Sequence, residues 1–282
     1  MYNGKIMISI VCALQWEATP IIKRLKLKKN LEILAYPVFS NSSTSLIVSG
    51  VGTIAAASAT TLILASSPEP PDLICNIGTA GASYPWKVGD LALVKQGYSH
   101  STGRSYFPDL SIRSTFPTAT LESFDRPVSD SLSLRDKEAL VDMEGAGFYL
   151  AAERFLGPDQ IQLIKVVSDL LDPKPFKREA LEILIEQKLG DILIYLDELL
   201  AHLKSSPRQV LSTAEQRLLA KLKEHYRLTE AQLVELRNLA IAFKIKSGPF
   251  QERLESLHLE QPENKQQAKS VFTKLKSSLL SQ

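Results

Sequence analysis

The chain is poor in the features that usually betray a function quickly. It has two cysteines in 282 residues. Both, Cys12 and Cys75, sit in apolar runs and lack the spacing of a redox or zinc motif. Buried, reduced thiols are therefore expected, with no metal and no cofactor. No apolar run reaches the length of a membrane span. The run at 6–14 is soon followed by Glu17 and has no small-residue cleavage site, so no signal peptide is expected and the cytoplasm is the expected location. A net charge of +2 makes no general electrostatic case for nucleic acid or membrane as a partner. What remains is ordinary: 44% hydrophobic and 23% charged residues, the make-up of a globular enzyme or binding domain.

The charge is unevenly spread. Residues 1–204 hold 20 Lys and Arg against 23 Asp and Glu, net −3, whereas residues 205–282 hold 13 against 8, net +5. Two units are expected, divided at the polar linker SSPRQ. Over 1–204, strand-like runs (6–14, 45–50, 73–77, 91–95, 118–124, 161–168) alternate with helical ones (15–29, 54–65, 145–155, 177–203). The segment 99–117 reads as an irregular loop, and SLSLRDKEAL as a short helix or turn. Such alternation predicts an α/β sandwich with a largely parallel sheet. Beyond 205, the pairs Ser212 with Glu215 and Thr229 with Gln232 are capping boxes ahead of amphipathic runs. Gly248-Pro249 breaks the second run. This all-α C-terminal region is expected to hold three or so helices. Its basic residues are spread along them, as on a solvated face, and its aromatics are too sparse for base stacking.

In open α/β sheets, ligands bind beyond the carboxyl ends of strands. Five polar residues fall at such ends: Glu17 after the first strand, Thr79 in the glycine-rich NIGTAGA, Asp142 and Glu144 around Met143, and Asp169 closing IKVVSD. Taken singly, Glu17 can be a first-turn helix acid, Thr79 a turn residue and Asp169 a helix cap. Their shared location is what raises them to site candidates.

The motifs ALQWEA, SGVGTIAAASAT, NIGTAGA with VGDLALV, VDMEGAG and VVSD, taken in this order across residues 6–200, resemble the purine nucleoside phosphorylase and nucleosidase superfamily. The methylthioadenosine/S-adenosylhomocysteine nucleosidases are the most similar in motif. The resemblance implies a three-layer nucleoside phosphorylase-like fold with a central mixed, largely parallel sheet. It also implies a nucleosidase that hydrolyses the N-glycosidic bond of a purine nucleoside, adenine first, and 5′-modified. Glu17 falls at the family's water-activating acid and Thr79 at a residue that helps place the nucleophile. Glu144 falls at the ribose-binding glutamate, Met143 at the methionine that packs against the sugar, and Asp169 at the acid serving the purine. Phe124 and Val128, in LESFDRPVSD, fall in the segment that holds the base.

Two stretches depart from the nucleosidase pattern, and a further feature separates the chain from the phosphorylases. Asp142 stands where the nucleosidases carry glutamate, and serves either as a ribose contact or as scaffold. Glu17 in the first loop and Asn76 before the glycine-rich stretch, where phosphorylases place arginines, favour water over phosphate. Arg24 and Arg104 keep a phosphorylase reading open. The segment between VGD and VDME is shorter than in the nucleosidases. That leaves a third reading, a nucleoside-binding or partner-docking module without catalysis. A homo-oligomer, by preference a dimer, is expected, with a small nucleoside as ligand.

Overall fold

The computed structural model describes residues 7–66, 69–130, 133–171, 178–205 and 211–280. The chain divides into two compact units, Met1–Ser205 and Ser206–Gln282. The linker SSPRQ lies, apart from Ser205, outside the described residues, as does Lys177.

The first unit runs β1 (Ile8–Cys12), α1 (Gln15–Leu25), β2 (Lys28–Asn30), β3 (Val38–Ser40), β4 (Thr44–Val48), α2 (Thr53–Ala65) and β5 (Leu73–Gly81). It continues through β6 (Leu91–Ser99), β7 (Ser105–Tyr106), β8 (Thr118–Ser123), β9 (Leu140–Asp142), α3 (Gly145–Ala152), β10 (Ile161–Asp169) and α4 (Arg178–Ser205). The strands form one ten-stranded mixed sheet. Its centre is parallel: β4 pairs with β1, β1 with β5, and β5 with β10. β10 then pairs antiparallel with β6, β6 parallel with β8, and β8 parallel with β9. β9 returns to β5 through Val141 and Gly81, which closes a ring of five strands.

Near-continuous apolar strands such as ISIVC suit a sheet buried on both faces. Helices α2 and α3 pack on one face, where Val11 and Ile74 of the sheet share a core with Ala146 and Phe148 of α3. Helices α1 and α4 cover the other, where Ile10 and Ile164 of the sheet share a core with Ile21 of α1 and Leu199 of α4. Each large side chain buried in these layers stabilises the fold by about 1.5–3 kcal/mol. The α2–α3 contact depends on an absent side chain. A Cβ on Gly147 would lie 2.0 Å from the Thr53 carbonyl oxygen.

Several bounds differ from those the sequence predicts. α1 stops at Leu25, because Lys26 turns left-handed (φ 53°) and the Asn41 side chain donates to the Leu25 carbonyl. Residues 28 and 29, expected as helix, instead belong to β2, which pairs with β3. β5 does not end at Ile77. It runs through the glycines to Gly81, since β10 pairs with it along that whole length. Thr79 is thus a strand residue, not a turn residue. β6 likewise runs on to Ser99, and α3 ends at Ala152. The described part of SLSLRDKEAL makes turns, with the backbone N–H groups of Arg135 and Asp136 donating to the buried Glu122 carboxylate.

The second unit contains α5 (Thr213–His225), α6 (Glu230–Ser247), the short α7 (Gln251–Glu255) and α8 (Lys265–Leu280). Ser212 and Glu215 form a capping box at α5, and Thr229 and Gln232 form one at α6. Gly248 ends α6, and the chain after Pro249 gives the extra helix α7. Leu219, Leu236, Phe250 and Leu275 build this unit's own core.

Candidate active site

A cavity of about 680 Å³ opens at the carboxyl ends of β1, β5, β9 and β10, within the volume range of small-ligand sites. Glu17, Thr79, Asp142, Met143, Glu144, Asp169 and Val128 all line it. The elements that deliver them differ in each case.

Glu17 comes from the first turn of α1 and is 2% exposed. Its Oε2 accepts the Leu14 N–H at 2.9 Å. Its Oε1 accepts both the N–H and the hydroxyl of Thr79, each at 2.8 Å. Gly78 leaves the space for it, since a Cβ there would stand 3.2 Å from Oε1. Three donors thus hold one carboxylate, fixing the direction of both its oxygens.

Glu144 directly precedes α3, and its side chain accepts the Gly52 N–H at 2.7 Å. Gly52 adopts φ 108°, a conformation only glycine takes easily, and so aims its N–H at the carboxylate. Burial and the neighbouring Asp142 push the Glu144 carboxyl up to about 7, with Lys165 and the Gly52 N–H partly offsetting the rise. Met143 sits beside it, its carbonyl fixed by the Thr53 hydroxyl at 3.1 Å.

Asp142 is bound on every side. Its Oδ1 accepts the Ser123 hydroxyl at 2.6 Å, and its Oδ2 accepts the Gly145 N–H at 2.8 Å. Lys165 Nζ lies 2.8 Å from the same Oδ2, with both side chains 1% exposed. Of the two roles open from sequence, this favours scaffold. Asp169, at the end of β10, is held by the Ser168 hydroxyl at 2.7 Å and the Leu171 N–H at 3.0 Å.

Phe124 is placed differently from expectation. It does not line this cavity but an adjoining one of about 370 Å³, which it shares with Val128. Its ring stacks on His100, with centroids 3.7 Å apart. That segment instead gives the cavity Arg126, Pro127, Val128 and Ser129. Neither Arg24 nor Arg104 lines the cavity. Arg104 faces Glu153 at 3.6 Å. Arg126 is the one cationic side chain on the wall among the described residues.

Sequence reasoning missed Arg126, Gly52 and Lys165. The signal for Lys165 was present, a lone cation inside the apolar strand IQLIKVV, which burial allows only with a counter-charge. Among the described residues no group of three His, Cys, Asp or Glu side chains could hold a metal ion. No described helix is long and apolar enough to cross a membrane.

The fold is shared with solved 5′-methylthioadenosine/S-adenosylhomocysteine nucleosidases. One from S. pneumoniae, with a transition-state inhibitor, matches at TM-score 0.58 and 18% identity, covering 68% of this chain and 98% of its own. One from Colwellia psychrerythraea, in complex with adenine, matches at 0.58 and 20%, covering 71% and 98%. The 5′-methylthioadenosine nucleosidase of Arabidopsis thaliana matches at 0.57 and 19%, covering 70% and 97%. At these identities the likeness establishes the fold. Neither a family model nor a curated protein matches the sequence.

Proposed function

We propose that the first unit is a purine nucleosidase that hydrolyses the N-glycosidic bond of an adenine nucleoside, 5′-modified as in methylthioadenosine or S-adenosylhomocysteine. The observation that carries this reading is the convergence of Glu17, Glu144 and Asp169 from three different elements on one cavity. The solved neighbours of the same fold, named for that activity, support it.

Breaking the bond between C1′ and the base nitrogen leaves positive charge on the sugar and negative charge on the departing purine. Asp169, protonated, gives its proton to the base as the bond breaks. Glu17 takes a proton from the water whose oxygen bonds to C1′, and Thr79 fixes the carboxylate for that task. Glu144 accepts hydrogen bonds from the ribose hydroxyls and stabilises the positive sugar, while Met143 packs against it. The products are free purine and the 5′-substituted ribose. General acid–base help of this kind is worth ~10²–10⁴-fold per group. Asp142 belongs to the scaffold beneath Glu144, and Val128 to the wall facing the base.

The reading includes a homodimer, supported by the exposed Val51 and Ile54 where α2 starts beside the cavity. A cytoplasmic setting fits the two buried free thiols. The helical second unit is an extension outside the catalytic fold.

The test is a panel of methylthioadenosine, S-adenosylhomocysteine, adenosine, 5′-deoxyadenosine and inosine, each with and without phosphate. Free base released without phosphate is the expected result. Base released only with phosphate, together with ribose 1-phosphate, would instead establish a phosphorylase, a reading that Arg126 on the cavity wall keeps open. Tight nucleoside binding without turnover of any member would establish the non-catalytic module.

A further inference from the structure

Lys165 is among the largest fully buried side chains in the protein. Nothing in the proposed chemistry uses it directly. It stands on β10 four residues before Asp169, in register with Gly78 of β5. Gly78 is the residue whose missing side chain makes room for Glu17. Its ammonium meets Asp142 at 2.8 Å, and Asp142 in turn holds the N–H of Gly145, the residue directly after Glu144. One buried cation is thus paired with Asp142 and lies within the field of Glu144 and Glu17.

A fully buried ammonium is costly without compensation. Here burial opposes the charge, but Asp142, Glu144 and Glu17 outweigh it and raise the Lys165 ammonium above its ordinary value. The lysine therefore stays charged across the whole working range of pH. The other charged groups on this cavity are Asp169 at the end of β10 and Arg126 in the segment after β8. The thiols of Cys12 and Cys75, which also lie within the field of Lys165, are kept neutral by burial.

We propose that Lys165 is the positioning residue of this cavity: it locks Asp142 against the start of α3 and supplies the counter-charge under which Glu144 binds a ligand's vicinal hydroxyls as an anion. The ribose part of this statement rests on the nucleosidase reading. The electrostatic part does not. The arrangement is asymmetric in a useful way. Asp142 repels the Glu144 anion and Lys165 attracts it, so removing either one moves Glu144 in a direction of its own.

The experiment is a ¹³C carboxyl NMR titration of Glu144 in the full-length, ligand-free protein, with E144Q identifying the resonance. It compares wild type, K165M, K165R, D142N and the double variant D142N/K165M. Loss of Lys165 should raise the Glu144 midpoint by about one pH unit or more, a tenfold change in the anion's stability, and K165R should restore it. Should K165M alone fail to fold, the comparison of D142N with D142N/K165M isolates the lysine, since neither variant leaves Asp142 as an unpaired buried anion. Equal midpoints in those two variants would overturn the proposal.

Activity supplies the second readout. The acid limb of the kcat/KM profile should move with the NMR midpoint, through KM more than kcat. A purely structural lysine would lower the active fraction and leave the limb in place, and that result also overturns the proposal. Absence of base release from every nucleoside would refute the nucleosidase reading, while the titration would still decide the part played by Lys165.

Discussion

Glu17 and Thr79, sixty-two residues apart in the chain, are joined by two hydrogen bonds to a single oxygen, one from the Thr79 N–H and one from its hydroxyl. With Leu14 donating to the other oxygen, the carboxylate is fixed in plane and direction before any ligand arrives. In the base role proposed for Glu17, a carboxylate held in this way needs no reorganisation at the moment of proton transfer, which is where preorganisation gains its effect.

Glu17→Gln keeps the shape and most of the donors but cannot take a proton. Base release should fall by ~10²–10⁴-fold with nucleoside affinity little changed, as measured by steady-state release and by calorimetric binding. Thr79→Val removes one of the two donors to Oε1. Since a hydrogen bond to a charged group contributes about 1.5–3 kcal/mol, it should cost roughly ten- to a hundredfold in kcat. An unaltered Thr79→Val enzyme would mean that the backbone N–H alone sets the carboxylate.

Asp169→Asn retains the Ser168 and Leu171 neighbours but has no acidic proton. Adenine release should drop by ~10²–10⁴-fold. Nucleosides with better leaving bases should be affected less, because they need less help from an acid. Full activity on methylthioadenosine would remove Asp169 from the acid's role.

The raised Glu144 carboxyl gives two pH effects of opposite use. In the free protein the group holds its proton up to about 7, whereas unfolded it titrates near 4.5. The folded state binds the extra proton in between, so this contribution to stability is full below the lower value and is lost as pH rises through the upper one. Melting curves of wild type against E144Q, taken from about pH 5 to about pH 8, should show the wild type losing ground over that window. Nucleoside affinity should run the other way, strengthening as pH rises through about 7, and E144Q should flatten that dependence.

Gly147→Ala places a methyl group against the Thr53 carbonyl oxygen, 2.0 Å from its ideal position. Helices α2 and α3 must then separate. Overpacking of this kind typically costs about 1–3 kcal/mol, and a backbone oxygen yields less than a side chain. Chemical denaturation should show a loss at or above the top of that range.

Removing residues 206–282 should leave a folded first unit, since each unit has its own apolar core. A sharp melting transition and retained nucleoside binding are the expected outcome. Insoluble protein on truncation would tie the helical unit to the stability of the first.

Much of the fold was legible because period and punctuation agreed. The apolar runs at β1, β4 and β10 and the two capping boxes of the second unit have local causes. The glycine stretch NIGTAGA was misread because glycines ordinarily signal a turn. Here pairing with β10 overrides that preference and carries β5 on to Gly81. The early end of α1 was hidden for a similar reason, since it depends on Asn41 reaching back to Leu25. Within the site, residues that sit in motifs could be found, whereas Arg126 sits in a loop with no signal in its spacing. Phe124 was placed by its segment, but its ring direction depends on His100, which no local pattern connects to it.

The ring β5–β10–β6–β8–β9 has a consequence for how such a protein can diverge. Thr79, Asp142 and Asp169 all sit on its strands, and a closed circuit has a fixed perimeter. One member cannot slide outward without dragging its neighbours, so the chemistry-bearing floor moves as a unit or not at all. The segments strung between those strands carry no such tether. Shortening the stretch between β7 and β8, or rewriting 124–130, changes the rim and leaves the floor untouched. The rim can then drift through insertions and deletions while Thr79, Asp142 and Asp169 stay put.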